Sequence, residues 1–216
     1  MRAIIFANGI ITSSPEAYSA VNPGDFLIAA NGGAQNCLAL GFTPEIVIGD
    51  LDSLTAEQKN TLESQGTQFL VYPRAKDQTD LELALGIAVS RGVEQVILLG
   101  LLGGRLDQTL ANLLLVSRSE WLSADLVIID GPDTAHFLHG PDQITLEALS
   151  GDIVSLVPLS EVVTGVTTQG LRWPLAAAQL LFGSTLGVSN EIVAAQAQVE
   201  ILTGKLFVIH RKIGPR

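Results

Sequence analysis

The sequence predicts a two-part α/β fold, a parallel-sheet domain followed by a smaller antiparallel β-sandwich domain. Three observations carry this reading. From the N-terminus to about Asp130, short aliphatic runs alternate with helix-like stretches, the pattern of a parallel sheet with crossover helices. After Gly131 the texture changes to short β-branched runs broken by Gly, Pro, Asp and Ser, as antiparallel strands require. Hydrophobic residues make up 47% of the 216 residues and charged residues only 16%, enough apolar side chain for two cores and too little charge for disorder.

In the first part, expected as residues 1–131, the strands are Ala3 to Ala7, Phe26 to Ala30, Ile46 to Ile48, Gln68 to Tyr72, Gln95 to Leu99 and Leu126 to Ile129. Thr55-Ala56-Glu57-Gln58 and Thr79-Asp80-Leu81-Glu82 both match a capping box, in which a Thr oxygen and an acidic or amide side chain satisfy free amides at a helix start. Gly41, Gly66 and Gly92 stand where helix C-caps are expected, and a further helix is expected over Thr109 to Val116. In the second part, residues 132–216, strands are expected at Ile153 to Val157, Glu161 to Thr168, Ala197 to Ile201 and Leu206 to His210. The run Ala176-Ala177-Ala178 fits a helical turn or a loop equally well. No internal repeat or flexible linker separates the halves, which therefore abut near Gly131 and Pro132.

The formal net charge of -10 argues against nucleic-acid or anionic-membrane partners, because the overall field repels phosphates. The apolar start Ala3-Ile4-Ile5-Phe6-Ala7 is too short for a signal segment or a membrane span, so a cytoplasmic location is expected. Cys37, the lone cysteine, sits in an apolar stretch and reads as a small core residue. His136, His139 and His210 lack a metal-ligand spacing and read as ordinary surface or core residues.

Chemistry-bearing residues collect where the loops of a parallel sheet share one edge, the edge at which open α/β sheets bind ligands. Asp50 and Asp52 follow the third strand, Asp77 and Asp80 the fourth, and Asp107 the fifth. Five carboxylates converging there would repel one another unless a hard cation neutralised them, and Mg²⁺ is the natural partner for oxygen ligands. Any one of these residues alone reads equally well as an N-cap or loop aspartate. The loop Gly100-Leu101-Leu102-Gly103-Gly104-Arg105-Leu106-Asp107-Gln108 precedes a helix start. Glycines let backbone amides approach phosphate oxygens, and Arg105 can grip two oxygens at once. The spacing fits neither a dinucleotide fingerprint nor a P-loop, and a tight turn explains it as well as a phosphate cradle does.

Taken together, these segments resemble the thiamine pyrophosphokinase family. The resemblance runs through Asn31-Gly32-Gly33-Ala34, Pro44 to Ser53 with its Gly49-Asp50-Leu51-Asp52-Ser53 end, Lys76-Asp77-Gln78-Thr79-Asp80, and Gly103-Gly104-Arg105-Leu106-Asp107. It continues through Gly170-Leu171-Arg172-Trp173-Pro174-Leu175, Phe182-Gly183 and Ser189-Asn190-Glu191, all in family order. It implies a nucleotide-binding α/β domain followed by a thiamine-binding β-sandwich, and a homodimer with an active site shared between subunits. The implied reaction is ATP plus thiamine giving AMP plus thiamine diphosphate. Asp50, Asp52 and Asp80 would hold Mg²⁺ with Asp77 and Asp107 in support, and Arg105 would contact phosphate. Asn31, Gly32, Gly103, Gly104 and Gln108 would line the ATP side, and Trp173, Ser189 and Asn190 the thiamine side. Two departures stand out: Asn31 where the family usually has Asp, and Gln108 where it usually has His. The first removes a charge, and the second keeps a hydrogen-bond donor but cannot titrate. Two alternatives remain at this level, a pyrophosphokinase for another hydroxymethyl heterocycle such as a pterin, and a non-catalytic nucleotide sensor.

Overall fold

The computed structural model describes residues 1–11 and 15–214, which divide into two compact units, Met1–Gly131 and Pro132–Arg216. The fold is mixed α/β, with a parallel sheet in the first unit and antiparallel strands in the second.

In the first unit the elements run β1 (Arg2–Phe6), α1 (Pro15–Ser19), β2 (Phe26–Ala30), α2 (Gly33–Ala39), β3 (Ile46–Gly49), α3 (Ala56–Ser64), β4 (Gln68–Val71), α4 (Asp80–Ser90), β5 (Gln95–Leu99), α5 (Leu106–Leu115) and β6 (Asp125–Asp130). The strands pair in parallel in the order β6-β5-β1-β2-β3-β4. Parallel strands covered on both faces need apolar residues throughout, and β2 is buried at all five positions. On one face Ile4 and Phe6 pack with Leu27, Ile97, Leu99, Val127 and Cys37. Burial pushes the Cys37 thiol up to about 12, so it is an inert core residue. Helix α4 buries Leu81, Ala84, Leu85 and Ala88, an i, i+3, i+4, i+7 stripe laid against β1, β2 and β3.

Local signals account for most boundaries. Thr55 accepts from the Gln58 amide while the Gln58 side chain accepts from the Thr55 amide, the complete capping box. At α4 only half of the expected box forms. Thr79 accepts from the Glu82 amide, but the Glu82 carboxylate turns to Arg118, 2.8 Å away, because a full charge is the stronger attraction. Helix α5 starts at Leu106, three residues before the expected Thr109, and so brings Asp107 and Gln108 into its first turn. Gly41, Gly66 and Gly92 adopt positive φ one residue beyond the last helical turns.

The second unit contains β7 (Asp133–His139), β8 (Asp142–Glu147), β9 (Ile153–Pro158), β10 (Val162–Gln169), β11 (Ala178–Leu181), β12 (Asn190–Glu191), β13 (Gln196–Ile201) and β14 (Lys205–Arg211). They pair antiparallel in two sets, β12-β9-β14-β7 and β11-β10-β13-β8. Alternate residues point inward, as Val154, Leu156 and Pro158 of β9 and Ala197, Val199 and Ile201 of β13 do. The ambiguous alanine run is a loop ending in a strand: Ala177 takes φ 48° and Ala178 opens β11.

Candidate active site

The chain leaves β1 toward β2 but leaves β5 toward β6, so the loops after these two adjacent strands part in opposite directions, and such a switch point opens a crevice at the strand ends. The two loops are stitched at their base, where the amides of Ala7, Gly9 and Ile10 donate to the carbonyls of Leu99, Gly100 and Leu102 at 2.7 to 2.8 Å. Asn36 of α2 adds a clamp by donating to the carbonyls of Ala7 (2.7 Å) and Gly9 (2.9 Å). Above this base lies a cleft of about 470 Å³.

Of the residues singled out from sequence, Asn31, Asp80, Gly103, Gly104, Arg105 and Gln108 line the cleft. Gly103 and Gly104 have φ of 87° and 74°, a turn closed to most side chains, which leaves their backbone facing the cavity. Arg105 donates to Asp107 at 3.1 Å; both side chains are exposed, and the guanidinium holds the Asp107 carboxyl below its usual range. Gly32 lies behind the cleft wall, where a β-carbon would collide with the Asn8 carboxamide. Asp77 is exposed and does not line the cleft.

The expected convergence of five carboxylates takes a different form: Asp50 and Asp52 share Asn31, Asp80 pairs with Lys76, Asp107 pairs with Arg105, and Asp77 stands exposed apart from them. Asp50 and Asp52 share the Asn31 carboxamide, whose Nδ2 donates to both at 2.8 and 3.2 Å. The Asp52 backbone amide first, then the Asn31 amide and the charge of Lys76, hold the Asp50 carboxyl below the usual range. Asp80 Oδ1 lies 2.9 Å from Lys76 Nζ, at ion-pair distance but off the line of a hydrogen bond, so this buried oxygen has a counter-charge and no hydrogen-bond donor. Among the described residues no three His, Cys, Asp or Glu side chains gather closely enough to hold a metal ion by themselves. Mg²⁺ usually takes one or two carboxylates and completes its shell with waters and substrate phosphates. The hard oxygen donors and the donor-free Asp80 oxygen therefore fit such an ion.

The structure adds residues that sequence reading missed as site residues. Asn8, Arg74, Lys76 and Asn112 also line the cleft. Arg74, Lys76 and Arg105 put three of the chain's 12 cationic side chains in one cavity of a protein with net charge -10. Such a concentration suits a polyphosphate. Asn8 and Asn112 carry no local pattern, whereas Lys76 stood within a quoted motif and could have been drawn from it.

In the second unit Trp173, Ser189 and Asn190 form one group. The Asn190 carboxamide accepts from the Trp173 amide at 3.1 Å and donates to its carbonyl at 2.7 Å, which leaves one amide N–H of Asn190 for a ligand. Arg172 pairs with Glu191 at 2.9 Å and stands 6.0 Å from the centre of the Trp173 ring. Ser189 takes φ 60° and its amide donates to the Ser155 hydroxyl.

Comparison with known proteins gives this geometry a context. Residues 18–129 match the family model for the thiamin pyrophosphokinase catalytic domain, and residues 142–208 match that for the thiamin pyrophosphokinase vitamin B1 binding domain. The chain is 29% identical over 183 residues to a thiamine pyrophosphokinase of Bacillus subtilis, covering 84% of this chain and 85% of that one. The crystal structure of a thiamine pyrophosphokinase from Bacillus subtilis superposes with a TM-score of 0.87 at 27% identity, covering 98% of this chain and 99% of the other. A thiamin pyrophosphokinase from Geobacillus thermodenitrificans gives 0.83 at 28% identity, with 99% of each chain covered. With both of its units matched in order, the chain belongs to the thiamine pyrophosphokinase family.

Proposed function

We propose that this protein transfers the diphosphate group of ATP to the primary hydroxyl of thiamine, giving thiamine diphosphate and AMP. The observation that carries the reading is the cleft at the switch point, which sets Arg74, Lys76 and Arg105 beside Asp80 and the Gly103-Gly104 turn in a family member. The thiamine oxygen attacks the β-phosphorus, a new O–P bond forms, the bond to the bridging oxygen of the α-phosphate breaks, and AMP departs. The hydroxyl proton passes to solvent or to a nearby carboxylate.

The chain's own part is positioning and charge neutralisation. Arg74, Lys76 and Arg105 grip phosphate oxygens, and the Gly103-Gly104 turn offers backbone amides. Gln108 faces the same cavity as a neutral hydrogen-bonding group, and Asp107, which holds Arg105, supports the site from outside the cleft lining, as Asp77 does from its exposed loop. Asp50, Asp52 and Asp80 would hold Mg²⁺, which when bound supplies positive charge to the reacting phosphates. Trp173 offers an exposed flat face for the cationic, aromatic thiamine, with Ser189 and Asn190 beside it. The functional assembly is a homodimer with a shared active site. Helix α5 supports this: none of its residues is buried, and Leu106, Leu110 and Leu114 stand exposed at i, i+4, i+8.

The deciding experiment is AMP release from ATP, measured with thiamine, without thiamine, without divalent cation, and with a hydroxymethyl pterin in place of thiamine. AMP formation that needs both thiamine and Mg²⁺ is expected. ATP binding with no AMP release would make the chain a nucleotide sensor, and turnover with the pterin alone would reassign the acceptor.

A further inference from the structure

Asn31 is placed to do more than line the cleft. It follows β2 with φ 46°, a left-handed conformation that asparagine tolerates better than most residues. Its Nδ2 donates to Asp50 Oδ1 (2.8 Å) and Asp52 Oδ1 (3.2 Å), and its Oδ1 accepts from the Ser53 hydroxyl (2.8 Å). One neutral side chain thus contacts three of the residues in the loop that follows β3, and it uses both N–H groups on two carboxylates.

Two carboxylates one residue apart repel each other in the absence of a cation, and the intervening Leu51 adds strain. Leu51 has φ 60° and buries its side chain among Ala29, Val47 and Leu62, which fixes the backbone between the two acids. With the backbone fixed, the carboxylates are held in place by a donor that reaches both. An aspartate at position 31 could not donate to either carboxylate.

We propose that Asn31 is a positioning residue that tethers Asp50 and Asp52 through its amide and keeps the pair aligned for a divalent cation without being a ligand of it. The inference rests on the pyrophosphokinase reading above only in assigning that cation to the phosphate-transfer site. The amide takes over, in the free protein, the charge-relieving role that the cation has in the loaded one. The site is therefore prearranged, and one carboxylate fewer has to be neutralised there.

The test is Mn²⁺ binding followed by electron paramagnetic resonance, with saturating α,β-methylene-ATP and no thiamine. Asn31→Gly retains a backbone suited to φ 46° and deletes only the tether. It is expected to weaken Mn²⁺ binding about tenfold relative to the unmodified chain. Asn31→Asp keeps the shape but exchanges the donor for a third carboxylate. It is expected to melt several degrees below the parent in EDTA and to recover in Mn²⁺. If Asn31→Gly binds Mn²⁺ as the parent does, or Asn31→Asp melts with the parent in EDTA, Asn31 is only a turn residue. A parent that binds no Mn²⁺ under these conditions also overturns the tether. Failure of thiamine-dependent AMP release by the unmodified chain would instead remove the function and leave the Mn²⁺ comparison standing.

Discussion

Trp173 leaves 60% of its surface in solvent while its backbone is held on both sides by the Asn190 carboxamide. A tryptophan kept for packing would be buried, as Trp121 is. The fixed backbone and free ring suit a stacking surface, and attraction between a desolvated cation and an indole face is worth ~1 to 2 kcal/mol. Trp173→Ala is therefore expected to weaken thiamine binding about tenfold, equivalent to ~1.4 kcal/mol. ATP affinity and melting temperature should stay near the parent's. Isothermal titration with each substrate and a thermal melt decide it: a drop of several degrees with thiamine binding intact would make Trp173 a packing residue. The same scale shows where strain is spent. Asn31, Leu51 and Ser189, three residues without glycine's freedom, hold positive φ beside the two candidate sites, a conformation that persists only where its surroundings enforce it.

At the scale of elements, the loop before β9 and the end of β14 are joined by one buried carboxylate. Asp152 accepts from His210 Nε2 (2.9 Å) and from the amides of Ile213 (3.0 Å) and Leu149 (3.1 Å). Burial pushes its pKa up, but the Ile213 amide, His210 and the Leu149 amide outweigh burial, and the group lies below its ordinary value. A carboxyl whose folded pKa is depressed contributes its stability in full above the unfolded value of ~3.9. That contribution is lost as pH falls through the folded value. The urea midpoint should thus hold steady down to about pH 4 and fall as pH drops below that. Asp152→Asn should be less stable at neutral pH, by about 1 to 3 kcal/mol for the unsatisfied donors, with a flatter acid limb. Parallel acid limbs for parent and variant would show that Asp152 is not the source.

The elements also differ in how openly the sequence declares them. Strands β1, β2 and β5 were legible because burial on both faces forces unbroken aliphatic runs. Strands β7 and β8 were missed: six of the seven residues of β7 are only partly buried, and β8 has Leu146 as its sole buried position, so neither shows a clean alternation. The start of helix α5 was expected three residues too late because its N-cap, Arg105, makes no side-chain cap and so leaves no capping signal in the sequence. Asn8 reaches the cleft through the sheet order, which sets the β1 and β5 loops side by side, and Arg74 reaches it from the loop after β4; no local spacing encodes either approach.

For the whole molecule, the question is what covers α5. A helix in a small α/β unit normally buries an apolar stripe, as α4 does with Leu81, Ala84, Leu85 and Ala88. Helix α5 buries nothing, and Leu106, Leu110 and Leu114 are 82%, 56% and 48% exposed. Three aligned leucines in water forgo a few kcal/mol that association would recover, and a stable interface needs about 800 Å² from each partner. A second copy of the chain is the partner the family reading calls for, so light scattering should give twice 22.8 kDa. Leu110 is the middle leucine, and its exposure makes Leu110→Glu nearly neutral for folding of one chain, while a pair of buried glutamates at an interface would be costly. The variant should sediment as a monomer at micromolar concentration, keep the parent's circular dichroism, and lose turnover in step with dissociation. A fully active parent that scatters only as 22.8 kDa would exclude the shared site, and a Leu110→Glu variant that stays dimeric would move the interface away from α5.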